Sequence, residues 1–197
     1  MEVIKIPKGK AIIIICGPTS CGKSSISYNI LKKRNGEYIS YEKIRKSIPR
    51  KMSKEKQILM FTKIFSTTIE KAVMNKEFVV IETPFIEDGQ LSGLIVSLRI
   101  YGYRDKITLL KIFLPEEIHI DFLKKKHNPK PNKKVMMRER NVFEKEILAK
   151  DYSKNGGINE FTISDVNNVD FDCEAWNNPY TKCVGVIFVR KYKKMKK

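Results

Sequence analysis

The segment Ala11-Ile-Ile-Ile-Ile-Cys-Gly17-Pro-Thr-Ser-Cys-Gly-Lys-Ser24 decides the fold of this 197-residue chain. Its apolar first half predicts a buried strand, and its second half matches the spacing G-x-x-x-x-G-K-[ST] of a phosphate-binding loop. In such a loop the glycines let backbone N–H groups curl around an oligophosphate, the lysine neutralises the β and γ oxygens, and the serine hydroxyl holds Mg²⁺. The segment therefore predicts binding of ATP, or another nucleoside triphosphate, with Mg²⁺ as cofactor.

A helix is predicted directly behind this loop. Ile26, Ile30 and Leu31 have helical spacing, so the positive end of the helix dipole would point at the phosphates. Lys23 is predicted to be catalytic and Ser24 to be the magnesium ligand. The residues predicted to bind the nucleotide are Gly17, Thr19, Ser20, Cys21, Gly22, Lys23, Ser24 and Ser25.

Strands and helices alternate along the rest of the chain. Apolar segments predict further strands at 37–40, 78–82, 107–114 and 161–164, with helices between them. The alternation predicts an α/β fold with a parallel sheet of about five strands flanked by helices. Residues 1–165 are expected to form this domain, and residues 166–197 a C-terminal extension with one candidate strand at 183–189 and a basic tail.

Composition narrows the class of protein. The chain is 42% hydrophobic, has no apolar run of about 18 residues and has no signal-peptide layout at its N-terminus, so we expect a soluble intracellular protein, cytoplasmic or nuclear, that does not act at a membrane. Its four cysteines lack C-x-x-C spacing, which favours reduced thiols over a zinc site or disulfides. The oligomeric state stays open.

The charge of the chain is strongly positive. A net charge of +17 favours a polyanionic partner, and nucleic acid is the partner we expect. The basic residues concentrate at Lys43–Lys56, Lys124–Arg140 and Arg190–Lys197. The alternative is a solvated surface whose lysines reflect the composition of the chain as a whole.

An acid-arginine pair follows the second predicted strand. The segment Glu42-Lys-Ile-Arg45 resembles the D-x-x-R element of the polynucleotide kinase and zeta-toxin-like branch of P-loop phosphotransferases, with glutamate in place of aspartate. The resemblance implies that Glu42 takes the proton from an acceptor hydroxyl and that Arg45 binds the acceptor phosphate. The alternative is an exposed ion pair of residues one helical turn apart.

Later segments fit the same family in the same order. The segment from Val79 to Pro84 lies where these kinases have a strand ending in D-[AT]-[TN], which implies that Glu82 and Thr83 lie near the acceptor, with a place near Mg²⁺ as the alternative for Glu82. Two charged helices at about 116–150 resemble the helical lid of P-loop kinases. The cations implied to meet phosphate from this lid are Lys126, Arg138 and Arg140, of which Arg138 is the preferred catalytic residue.

Three residues receive structural expectations as well. His119 is expected on a helix surface. Cys21 is expected to be a small filler of the loop whose backbone alone matters, with a thiol pKa lowered by the helix N-terminus as the alternative. A helix that begins after the N-cap Ser53 is expected to turn Ile58 and the apolar residues that follow it toward the core.

The favoured function is transfer of the γ-phosphate of ATP to a hydroxyl, with the 5′-OH end of RNA or DNA as the acceptor. One alternative is a kinase for a small molecule, namely a nucleoside, a nucleotide or a nucleotide sugar. The other is a catalytically weak P-loop protein that binds nucleic acid.

Overall fold

The structure is a computed structural model that describes residues 2–7, 9–125, 132–155, 157–164 and 169–172. Its strands are β1 (Glu2–Lys5), β2 (Ala11–Cys16), β3 (Glu37–Ser40), β4 (Phe78–Glu82), β5 (Ile107–Ile112), β6 (Ile158–Ile163) and β7 (Val169–Asp172). Its helices are α1 (Lys23–Lys33), α2 (Tyr41–Ser47), α3 (Lys54–Asn75), α4 (Asp88–Ile100), α5 (Glu116–Lys125) and α6 (Lys133–Phe143), with a π-helix at Glu144–Leu148 and a 3₁₀ helix at Tyr152–Asn155.

Five parallel strands form the central sheet in the order β3-β4-β2-β5-β6. The strand before the phosphate-binding loop is therefore in the middle, with all of its residues buried. Because all the strands are parallel, their carboxyl ends lie at one edge, where α/β proteins bind ligands. Ile15 pairs with Glu82, which pairs in turn with Ser40. The predicted α/β fold is confirmed: this is a P-loop NTPase fold.

Two apolar layers hold this sheet between its helices. Alternate residues of β2 point to opposite faces: Ile12 and Ile14 join a cluster that contains residues of α3 and α4, whereas Ile13 and Ile15 join a cluster that contains residues of α1. Both faces are covered, which explains why this strand is a continuous apolar run rather than an alternating pattern.

Element boundaries differ from the sequence predictions near the C-terminal end of the domain. The fifth strand ends at Ile112 rather than at residue 114, the last strand of the sheet begins at Ile158, and α6 passes into a π-helix after Phe143. The strands β1 and β7 pair in parallel as a second sheet, which periodicity did not predict. The candidate strand 183–189 and the basic tail lie outside the described residues. None of the described helices is long and apolar enough to cross a membrane.

Lys111 is a charged residue at a buried strand position. Its side chain forms an ion pair with Glu160 and donates to the carbonyls of Ile147 (3.3 Å) and Lys150 (3.2 Å). A buried ammonium is stable only when it is paired and hydrogen-bonded in this way. The interaction fastens the π-helix, and with it the end of α6, to the sheet.

Tyr103 satisfies the backbone at the start of the central strand. Its buried hydroxyl accepts from the N–H of Ile12 (3.1 Å) and donates to the carbonyl of Lys106 (3.0 Å). We expect Tyr103→Phe to lower the free energy of unfolding by about 1–3 kcal/mol, because two backbone groups lose their partner. Urea denaturation measures the change, with Tyr101→Phe as the matched control, and equal midpoints for the two variants would contradict it.

Candidate active site

The loop between β2 and α1 has the backbone shape that its glycines permit. Ser20 and Gly22 adopt positive φ angles of 65° and 94°, a region that glycine enters freely and other residues enter at a cost. A Cβ atom at Gly17 would lie 2.5 Å from the carbonyl oxygen of Ile112. The first glycine is therefore required by a close approach of β5, and the second by the turn into α1.

Lys23 folds back over this loop. Its ammonium donates to the carbonyl oxygens of Gly17 and Pro18, both at 2.7 Å. Both acceptors are neutral carbonyl groups of the same loop. The ammonium therefore stays beside the loop, and these contacts do not pair it with a carboxylate. Phosphate oxygens are stronger acceptors for an ammonium than carbonyl oxygens are, because their negative charge attracts it.

Glu82 ends the strand next to the loop and gathers three hydroxyl groups. Its carboxylate, which is 7% exposed, accepts from Ser24 Oγ (2.9 Å), from Ser27 Oγ (3.4 Å) and from the hydroxyl of Tyr38. Burial and the hydrogen bond to Glu82 raise the pKa of Tyr38 to about 12, so the phenol stays a donor. Because three hydroxyl groups donate to Glu82, its carboxylate keeps two hydrogen bonds if one of these hydroxyls turns to another ligand.

Ser24 and Glu82 fit the requirements of Mg²⁺. Their oxygens lie 2.9 Å apart, and Mg²⁺ usually takes one or two protein oxygens together with water and phosphate oxygens. No group of three or more His, Cys, Asp or Glu side chains suited to a metal occurs in the described part of the chain. The Ser24 and Glu82 oxygens suit a hard cation that takes its other ligands from phosphate and water.

Glu42 and Arg45 form a two-point ion pair on α2. The guanidinium donates from Nε (3.1 Å) and Nη2 (3.2 Å) to the carboxylate, and Lys46 lies 3.4 Å away. Both side chains are exposed, at 45% for Glu42 and 62% for Arg45. Partial burial raises the pKa of Glu42, but hydrogen bonds from Arg45 and Lys46 outweigh it, so the pKa lies below its ordinary value. The carboxylate is ionised at neutral pH.

The helix α2 begins at the same edge of the sheet as the phosphate-binding loop. Ser40, the last residue of β3, caps it by accepting from the N–H of Lys43 (3.4 Å). Ser40 pairs with Glu82 in the sheet register, so Glu42 follows two residues after the strand neighbour of the buried carboxylate. The acceptor role of the ion pair stays a prediction.

The lid residues have three different outcomes. Arg138 is exposed on α6, whereas Lys126 lies outside the described residues. Arg140 is buried: it donates to the carbonyl of Leu114 (2.7 Å), and its guanidinium stacks 4.3 Å over the ring of Phe113. In this conformation Arg140 is committed to the protein interior, so its predicted contact with phosphate would require it to leave these partners.

The expected surface position of His119 is wrong, and so is the alternative of a lowered pKa for Cys21. His119 is fully buried rather than on a helix surface, because α6 packs over it and Arg140 approaches its ring at 3.1 Å. Burial raises the pKa of Cys21, where proximity to a helix N-terminus predicted a lowered value. Lys23 lowers the pKa of this thiol by its charge, but desolvation is the larger effect.

Thr83 also lies deeper than an acceptor-binding residue would need to. It is fully buried, its N–H donates to the carbonyl of Ile15 (2.9 Å), and its hydroxyl has no hydrogen-bond partner among the described residues. The backbone contact ties the end of β4 to the central strand. An acceptor contact of Thr83 stays a prediction.

Comparison with known proteins places this geometry in a family. A family model described as an AAA domain matches residues 12–145, which is more than half of the chain. The chain belongs to this AAA-domain family. The match includes the phosphate-binding loop, the Glu42-Arg45 pair, Glu82 and α6. No curated protein sequence matches the chain significantly.

Solved structures show the same P-loop kinase-like fold at low identity. A sugar kinase from Janibacter sp. HTCC2649 matches at 10% identity over 78% of this chain and 85% of that chain, with a TM-score of 0.52. A gluconokinase from Sinorhizobium meliloti 1021 matches at 12% identity over 79% and 83%, with a TM-score of 0.52. A chain of the Pnkp1/Rnl/Hen1 RNA repair complex matches at 15% identity over 73% of this chain and 47% of that one, with a TM-score of 0.60.

Proposed function

We propose that this AAA-domain protein is an ATP-dependent phosphotransferase that moves the γ-phosphate to a hydroxyl group, with the 5′-OH end of RNA or DNA as acceptor. The observation that carries the proposal is the arrangement at the carboxyl edge of the sheet. There the phosphate-binding loop, the buried Glu82 and the ionised Glu42 come from neighbouring strands. A loop alone binds a nucleotide, whereas transfer also needs a carboxylate for the attacking hydroxyl.

On the donor side, Lys23 exchanges the carbonyls of Gly17 and Pro18 for phosphate oxygens. Ser24 and Glu82 would hold Mg²⁺, which neutralises charge on the β and γ oxygens when it is bound. Arg138 is one of the exposed cations of α6, and it is the one that we place toward the γ-phosphate. Phosphoryl transfer has a loose transition state, so positioning and charge supply most of the rate enhancement.

On the acceptor side, Glu42 takes the proton of the attacking hydroxyl. Arg45 turns its two donors from Glu42 to a phosphate of the acceptor, a planar grip that lysine lacks. A phosphate next to the attacking hydroxyl is what an oligonucleotide offers at its 5′ end and a free nucleoside does not. The exposed cations that continue along α2 and the start of α3 suit the following phosphates: Lys43, Lys46, Arg50, Lys51, Lys54 and Lys56.

A small-molecule kinase is the second candidate. The sugar kinase and the gluconokinase share the fold over most of their own length, and the same carboxyl edge would serve a small hydroxyl compound. In that case Arg45 keeps its partner Glu42, and the positive surface has no part in the reaction.

The experiment that separates these candidates measures transfer of the labelled γ-phosphate from ATP to a panel of acceptors. The panel contains 5′-OH RNA and DNA oligonucleotides, nucleosides, nucleotides, gluconate and sugars, with a 5′-phosphorylated oligonucleotide as the matched control. We expect the 5′-OH oligonucleotides to exceed a free nucleoside by at least about 100-fold in kcat/KM, since each well-placed phosphate contact contributes a charged hydrogen bond.

Other outcomes of the panel contradict the proposal in different ways. Equal labelling of a nucleoside and an oligonucleotide would remove the nucleic-acid acceptor and keep the kinase. Efficient labelling of gluconate or a sugar would favour the second candidate. Tight oligonucleotide binding without any transfer would favour the catalytically weak P-loop protein that binds nucleic acid.

A further inference from the structure

Side chains of α5 and α6, the two helices that follow β5, contact the backbone of the phosphate-binding loop at Thr19. The N–H of Thr19 donates to Glu139 Oε2 of α6 at 2.8 Å. The carbonyl of the same residue lies 2.6 Å from His119 Nε2 of α5. The peptide groups before and after Thr19 are thus both fixed by side chains that are 100 or more positions away in the sequence.

The partners of His119 define its protonation state. The carbonyl of Thr19 can only accept a hydrogen bond, so Nε2 carries the proton. The guanidinium of Arg140 can only donate, and its Nη1 lies 3.1 Å from Nδ1, so Nδ1 is the acceptor. His119 is therefore the neutral Nε2–H tautomer. Arg140 is held in turn by the carbonyl of Leu114 and the ring of Phe113.

We propose that Glu139 and His119 are positioning residues that hold the Thr19 backbone in the shape in which the loop binds a nucleoside triphosphate. The inference rests on the proposed function for its ligand and adds residues that the phosphate-binding motif does not contain. Arg140 acts behind them by fixing the ring of His119. Arg140, the buried arginine of the lid segment, therefore supports the loop indirectly, through His119.

The strength and burial of the contacts at Thr19 support a positioning role for Glu139 and His119. A hydrogen bond from a backbone N–H to a carboxylate is among the stronger ones in proteins, and His119 is fully buried. The loop also contains Ser20 in a positive-φ conformation directly after Thr19, which is unfavourable for a serine unless its surroundings determine it. Two fixed peptide groups next to this residue supply that determination.

Glu139 could instead compete with the nucleotide for the loop, and its removal would then change the nucleotide Kd in the opposite direction. A carboxylate that accepts from a loop N–H resembles a phosphate oxygen, and a triphosphate would then have to displace it. Under that reading, removing the carboxylate tightens nucleotide binding, because a competing anion is lost. Under our proposal it weakens binding, because the loop loses its fixed shape.

The first experiment measures the Kd of a non-hydrolysable ATP analogue with Mg²⁺ by calorimetry. We expect Glu139→Ala to raise the Kd about tenfold, which corresponds to the loss of one hydrogen bond to a charged group. Glu139→Gln keeps an acceptor oxygen and is expected to stay within about threefold of the unmodified protein. Glu146→Ala, at an exposed position on the following π-helix, is the matched control and leaves the Kd unchanged.

The second experiment uses pH. Burial, which is the largest effect, and the charges of Arg140 and Lys23 lower the pKa of His119, against the contact with Thr19 and the charge of Glu139. Because this pKa lies below its ordinary value, the contribution of neutral His119 is present above about pH 6.5 and is lost as the pH falls through the folded value. Protonation places an N–H on Nδ1 against the N–H of Arg140.

His119→Gln is the matched variant for this pH profile. A glutamine amide offers one donor to Thr19 and one acceptor to Arg140 and does not titrate. We expect the Kd of the unmodified protein to rise by about tenfold more than that of His119→Gln once the pH has fallen from 8 through the folded pKa of His119, while protonation of the nucleotide itself affects both equally. This readout applies even if Glu139→Ala fails to fold.

The outcomes separate this inference from the proposed function. If the unmodified protein does not bind the ATP analogue, the proposed function fails. If it binds, and Glu139→Ala binds equally or more tightly, the positioning role is wrong and the proposed function stands. Identical pH profiles for the unmodified protein and His119→Gln would overturn the role of His119.

Discussion

Replacing Lys23 with alanine is expected to lower the rate of γ-phosphate transfer by about 10²–10³-fold, the loss that follows removal of one preorganised group that stabilises charge in a transition state. The free energy of unfolding should change little. In the structure this ammonium donates to two carbonyl oxygens and, at 3.8 Å, to the Sγ of Cys21, all in its own loop, so the contacts that the substitution removes are local. The variant therefore separates catalysis from folding.

Labelled γ-phosphate transfer to a 5′-OH oligonucleotide measures the loss, and thermal unfolding confirms that the variant is folded. Lys32→Ala is the matched control, because Lys32 lies on the same helix, is exposed, and lies over the ring of Tyr28 rather than over the loop. The control should retain full activity. If Lys23→Ala kept more than about a tenth of the transfer rate, the loop would not be the donor site.

The central part of the fold is predictable because its signals are local. The apolar run at 11–16 has no polar residue that would have to face water, so it can only be a strand covered on both sides. Ser40 and Ser53 are followed directly by helices and accept from backbone N–H groups three residues later. Each of these features is decided within a few residues.

The surroundings of the candidate site are less predictable because their partners are distant in sequence. His119 looks like a surface residue in its own segment, but its ring contacts Thr19 of the phosphate-binding loop and Arg140 of α6, and it is buried. Arg140 shares the helix with the exposed Arg138, and charge alone does not distinguish them. A heptad-like spacing of Met136, Arg140 and Phe143, all buried, is the signal that would have placed Arg140 inward.

Apolar residues mislead in the same way. Ile58 continues the spacing of the buried Phe65 and Ile69 on α3, but it is 66% exposed, and all the buried residues of this helix lie in its second half. Lys111 is the reverse case, a charge within the apolar run of β5 that is buried because Glu160 on the neighbouring strand pairs with it. Periodicity shows which face of a helix or strand is apolar, but it does not show how far along the element other parts of the protein cover that face.

Glu42→Gln is expected to lower kcat by about 10²–10⁴-fold, the usual contribution of a general base, and to leave the Kd of the ATP analogue unchanged. The amide keeps an oxygen for Arg45 but cannot take a proton. Stability should be nearly unaffected, because the pair is exposed and exposed ion pairs contribute about 0–1 kcal/mol. Single-turnover transfer with saturating ATP and oligonucleotide measures the effect, and Glu42→Asp, which retains a carboxylate, should recover part of the rate.

Glu82→Gln is the comparison that makes this result decisive. Its carboxylate accepts from Ser24, Ser27 and Tyr38, so loss of its charge should weaken Mg²⁺-dependent nucleotide binding before it changes the chemical step. If instead Glu82→Gln abolished transfer with an unchanged nucleotide Kd, and Glu42→Gln remained active, the base would be the buried carboxylate. The exposed pair of Glu42 and Arg45 would then be a local ion pair on α2, and the acceptor phosphate would need a different cation.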